Sequence, residues 1–228
     1  MWRNEFPQLY KLYEASDRSH ADNYFTKGFD RIYANDRDGT RRSFGPLERA
    51  LERVDNEAWK QLVGKALGFV TQKDHRRGWS QLFDHLYEAF GYELLANRGY
   101  TSIQFVDRGD EQTPDLLGKS QTSTAILEVK SIGCSDNEID RRTVWPPPLL
   151  DLAPALSDKF ENKLLVTLKK ARDQLEKYNG PTDKKIVLLV VYMDVDKWGN
   201  DNIEAVCKFA KLQQTAGIEV VVRPLVIL

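Results

Sequence analysis

The chain has 228 residues, of which 41% are apolar (AVILMFWYC) and 29% charged, a composition that supplies a core and excludes wholesale disorder. Lys and Arg number 33 against 34 Asp and Glu, a net charge of −1, which disfavours a protein that coats nucleic acid by bulk charge but leaves room for a local basic groove. The two cysteines, Cys134 and Cys207, exclude by count both a disulfide framework and a cysteine-built zinc site.

From residue 6 to 70 the pattern predicts helices. Leu9, Leu12 and Tyr13 recur at helical spacing, as do Leu47, Ala50, Leu51 and Val54, then Trp59, Leu62, Val63, Ala66 and Leu67. Asn35-Asp36-Arg37-Asp38-Gly39-Thr40 reads as a turn-forming break, and the polar stretch 71–78 as a domain boundary. A longer helix is predicted over 79–97, with Phe83, Leu86, Phe90 and Leu94 as its apolar stripe and Gly99 as a left-handed C-terminal residue. Three short strands follow, at about 101–107, 114–118 and 123–131. A long loop over 132–156 contains Pro146-Pro147-Pro148 and Pro154. A second long helix is predicted over 157–178, a buried strand over 185–192, a helix over 201–216 and a last strand over 219–226. From residue 79 the order is αβββαβαβ. The opening Met1-Trp2-Arg3-Asn4-Glu5-Phe6 is mixed in polarity and the longest apolar run, Ile186 to Met193, has 8 residues, against about 20 for a spanning helix. The expectation is a soluble cytoplasmic protein without membrane contact.

Charge is unevenly spread. Residues 1–80 carry a net of +3, residues 81–156 a net of −6, and residues 157–185 a net of +3. Excess carboxylates among short strands suit a divalent cation, and the basic block that follows suits an anionic substrate beside it. Within the acidic block, Pro114-Asp115 opens the second strand, and Glu128-Val129-Lys130 lies on the third. Glu128 and Lys130 are two apart and share a strand face, with Val129 pointing the other way into apolar packing. Two carboxylates meeting on adjacent strands repel, and a cation relieves the repulsion. All-oxygen ligation suits Mg²⁺ or Mn²⁺ rather than zinc. A lysine beside the pair can orient or deprotonate water and stabilise phosphate charge.

Pro-Asp followed by Glu-x-Lys on the next strand resembles the signature of the PD-(D/E)xK nuclease superfamily. The preceding helix carries Tyr87-Glu88, Leu94-Leu95 and Gly99-Tyr100, which resembles the pattern of Mrr-type restriction endonucleases and archaeal Holliday-junction resolvases. Gln174 and Tyr178 resemble the Gln-x-x-x-Tyr motif of RecB-like nucleases. The resemblance covers about residues 79–192. It implies a restriction-endonuclease-like α/β fold, an αβββαβ core with a mixed central sheet, in a domain 79–228. Residues 1–78 form a helical N-terminal region of unknown role.

The resemblance further implies a metal-dependent nuclease that hydrolyses DNA phosphodiesters, an endonuclease of defence or repair. Asp115 and Glu128 would ligate Mg²⁺ (or Mn²⁺) with the Val129 carbonyl as a further ligand, and Glu88 would complete the site or bind a second ion. Lys130 would position the attacking water, and Gln174 and Tyr178 the scissile phosphate. On the helix over 157–178, Lys163, Thr167, Lys170, Gln174 and Tyr178 form a polar, basic stripe beside the apolar stripe of Leu164, Leu168, Ala171 and Leu175. Lys163 and Lys170 would then follow the phosphate backbone, as would Arg141 and Arg142 in the long loop. DNA is the expected partner, with a homodimer or a partner subunit as a further expectation. The alternatives are a catalytically inactive module of the same fold that binds nucleic acid or protein, and an RNA-directed nuclease. His85, one turn before Glu88, reads as an ordinary, partly exposed histidine. Trp145 reads as an anchor of its own loop and Cys134 as inert.

Overall fold

The computed structural model of the chain describes residues 2–75, 77–106, 113–132, 158–194, 200–214 and 217–227. They fall into two compact units, one of Met1–Asp107 with Leu116–Gln121, the other of Arg108–Asp115 with Thr122–Ile227.

In the first unit a short 3-10 helix (Trp2–Asn4) precedes α1 (Pro7–Ala15). A π-helical turn (Phe25–Phe29) runs into α2 (Asp30–Asn35), and α3 (Arg37–Glu52) and α4 (Asn56–Leu67) complete the N-terminal helices. The break expected over residues 35–40 narrows to Asp36. Its carboxylate accepts the Gly39 N–H at 2.8 Å and so caps α3, which turns the polar run 37–40 into a first helical turn instead of a loop. Asp55 caps α4 likewise, accepting from Glu57 and Ala58 at 2.9 Å each, and Tyr92 Oη donates to it at 2.9 Å. The core of this unit is largely aromatic: Phe6, Phe25, Phe29 and Phe90 are fully buried together with Leu9, Leu12, Leu51 and Leu62.

The single helix expected over 79–97 is two, α5 (Ser80–Leu86) and α6 (Glu88–Asn97). They meet at Tyr87, whose carbonyl accepts the Phe90 N–H at 3.0 Å in a tightened turn. Glu88 thereby becomes the first residue of α6, where the helix dipole favours a carboxylate. Gly99, at φ +84°, ends α6 in the left-handed conformation the sequence predicts. Two antiparallel strands, β1 (Ser102–Phe105) and β2 (Leu116–Lys119), follow, with Ile103 opposite Gly118. Gly118 is a packing necessity: a Cβ there would stand 3.2 Å from Leu95 Cδ1 and 3.3 Å from the Tyr100 side chain.

In the second unit β3 (Thr124–Ile132) pairs in parallel with β4 (Lys184–Asp194), and β4 with β5 (Ile218–Ile227). Two helices accompany them, α7 (Asp158–Lys177) and α8 (Asn200–Leu212). The five strands belong to a mixed sheet in the order β1-β2-β3-β4-β5, so the fold is α/β and β3 is its middle strand. Leu164 of α7 and Val206 of α8 pack with Ile132, Leu189 and Val191. Ile132 shares its strand face with Glu128 and Lys130, so α7 covers the face from which those two side chains project. Among the described residues no helix is long and apolar enough to cross a membrane.

Candidate metal centre

Asp115 stands immediately before β2 and is 2% exposed, although it is charged. Its Oδ2 accepts the Val129 N–H at 2.8 Å. The carboxylate therefore lies against the peptide bond that joins Glu128 to Val129. Glu128 is completely buried, and its Oε1 receives the Lys130 ammonium. Val129 is buried on the opposite face, as strand alternation requires. Four of the expected residues are thus together: Asp115, Glu128, Val129 and Lys130. An acid on an edge strand could rest in water, but Glu128 sits at the middle of the sheet, level with Val187 of β4.

The donor chemistry fits a hard divalent cation. Two buried carboxylates supply oxygen ligands without sulfur, and one lysine leaves the trio with a formal charge of −1. Burying such a group is costly without compensation, and a dication would compensate it. Among the described residues no three His, Cys, Asp or Glu side chains gather as a metal-binding group.

Glu88 has a setting of its own within the first unit. It is 1% exposed, not the solvent-facing side chain of an ordinary helix surface. Lys65 Nζ of α4 reaches Glu88 Oε2 at 3.2 Å and the Val106 carbonyl at 2.9 Å. His85 Nδ1 lies 3.0 Å from Glu88 Oε1, and the imidazole stacks on Phe69 at 4.6 Å between centroids. His85 is accordingly buried, contrary to the partly exposed position expected of it. The i, i+3 spacing from His85 to Glu88 was a signal for that contact. Lys65 carries no such signal, because 23 residues separate it from Glu88 and only the packing of α4 brings it there.

On α7, Lys163, Thr167 and Gln174 are half-buried and Lys170 is exposed, while Leu164, Leu168, Ala171 and Leu175 are buried. The two stripes are therefore distinct faces, as the spacing predicts. Tyr178 follows the helix, and a Cβ on Gly180 would stand 2.3 Å from its hydroxyl, so its ring lies over that glycine. Arg141, Arg142, Trp145 and Cys134 lie outside the described residues. Comparison with protein-family models, with curated proteins and with solved structures gives no match.

Proposed function

We propose that this chain is a Mg²⁺- or Mn²⁺-dependent nuclease that hydrolyses phosphodiester bonds in DNA. One observation carries the reading: Asp115, buried, is hydrogen-bonded to the peptide after buried Glu128, which holds Lys130 on the same strand face. Asp115 and Glu128 would hold the cation, with the Val129 carbonyl as a further ligand. When bound there, the ion would supply Lewis-acid activation of the phosphate and of water.

The rest falls to the chain's own side chains. Lys130, tethered by Glu128, donates to the attacking water or to a phosphate oxygen and offsets the charge that builds there. Gln174 and Tyr178 orient the scissile phosphate. Lys163 and Lys170, on the helix that covers the Glu128 face, follow the strand's backbone. Glu88 enters this reading through the resemblance of its motif alone.

The test is cleavage of plasmid, linear duplex, single-stranded DNA and RNA in Mg²⁺, Mn²⁺ or EDTA, by the natural chain and by Asp115→Ala and Lys130→Ala. Metal-dependent cutting that both substitutions abolish supports the proposal, and the preferred substrate separates DNA from RNA. A folded chain that cuts nothing and binds no Mn²⁺ by calorimetry refutes it.

A further inference from the structure

The outer face of α1 carries two aromatic rings, flanked by two cations from outside the helix, that the hydrolytic reading does not use. Leu9 and Leu12 are buried, which leaves Tyr10 and Tyr13, three apart, on a neighbouring edge of the helix. Both rings are half-buried, with centroids 5.5 Å apart and planes tilted by 54°. They are held from beneath. Buried Trp2 meets Tyr10 at 5.3 Å and Tyr13 at 5.8 Å, and Phe25 meets Tyr13 at 5.9 Å. A guanidinium lies over each ring: Arg3 is 5.0 Å from the Tyr10 centroid and Arg18 is 5.6 Å from that of Tyr13.

These arginines, like Lys11 over Trp59 and Lys73 over Trp79, differ from the carboxylate-paired cations of the unit. Arg37 and Arg41 pair with Glu5, Arg53 with Glu93, Lys60 with Glu57, and Lys65 with Glu88. Arg3 and Arg18 are exposed and are held by rings instead of carboxylates, so their charge remains available to an anion.

We infer that this face of α1 is a stacking surface for a single-stranded nucleic-acid segment. Rigid tyrosine rings capped by guanidinium planes offer stacked surfaces to base faces at little entropic cost, and the same guanidinium groups take the flanking phosphates. Glu14, exposed one turn beyond Tyr10, opposes that binding. Asp17 is committed to Ser19, accepting from its N–H and its hydroxyl. The choice of nucleic acid as the partner rests on the proposed function, and the surface gives the N-terminal region a role in it.

The test is fluorescence anisotropy of labelled 20-nucleotide single strands, DNA and RNA, with the full chain in EDTA. Tyr10→Leu/Tyr13→Leu should weaken binding about tenfold. Arg3→Gln/Arg18→Gln, which leaves the rings in place, should weaken it and flatten its salt dependence by about 1 to 2 in log–log slope. Glu14→Gln should tighten it. Equal affinity of both double variants and the natural chain, with unchanged melting, overturns the inference, as does absence of strand binding by the natural chain. A chain that binds strands through these residues but cuts nothing and binds no Mn²⁺ keeps the inference and refutes the nuclease reading. A chain that cuts while the variants bind unchanged does the reverse.

Discussion

Glu48 makes folding stability depend on pH in a calculable way. It lies on α3, 3% exposed, and accepts the N–H groups of Gln8 at 2.5 Å and Leu9 at 3.1 Å. Phe6 gives α1 no side-chain cap, so Glu48 serves the first turn from another helix. Two effects oppose one another. Desolvation raises the carboxyl pKa and is the larger; the two amide donors and Lys11 lower it, while nearby Glu52 raises it further, and the result is a group pushed up to about 7 from 4.5. At about 1.4 kcal/mol per pH unit the displacement is worth about 3 kcal/mol. The sign follows from the direction. A raised carboxyl pKa means that the folded state holds the proton more tightly than the unfolded chain. The contribution is therefore complete below about pH 4.5 and is lost as pH rises through about 7. Urea denaturation of the natural chain and Glu48→Gln at pH 5 and pH 8 measures it. The natural chain should lose about 2.5 kcal/mol more than the variant across that interval. Equal losses would refute the reasoning and show that the Gln8 and Leu9 donors at least offset desolvation.

Three further outcomes are expected. Lys65→Met leaves the buried Glu88 carboxylate with His85 alone and should cost about 3 kcal/mol. In urea denaturation, adding Glu88→Gln to that variant should restore much of the loss. Gly180→Ala places a Cβ where the Tyr178 hydroxyl now sits, and because a ring tip can swing away, melting should barely change. Single-turnover cleavage should fall about tenfold or more if Tyr178 orients the phosphate. Gly118→Ala crowds Leu95 and Tyr100 at 3.2 to 3.3 Å and should lower stability by about 1 to 2 kcal/mol, seen as a lower melting temperature.

Local patterns gave the strands and most helices correctly because burial leaves a period in the sequence. The alternation around Glu128 and Lys130, the Leu164–Leu175 stripe and the left-handed Gly99 are of this kind. The residues read as a metal centre were legible too, since two of them lie two apart on one strand and Asp115 follows a proline. Elements that depend on one capping or junction residue were misread. Asp36 converts an apparent turn into a helix start, and Tyr87 divides one helix into two.

Tertiary structure alone decided how the charges are paired. The sequence by itself established the α/β class, the order of elements and the residue types suited to a cation. It could not reveal that Lys65 holds Glu88, that Glu48 caps a helix 40 residues away, or that Asp115 bonds the backbone beside Glu128. Helical and strand periods report only which face is buried. Which charged group lies opposite another across a core depends on the packing of whole elements, and residue spacing along the chain carries no record of it.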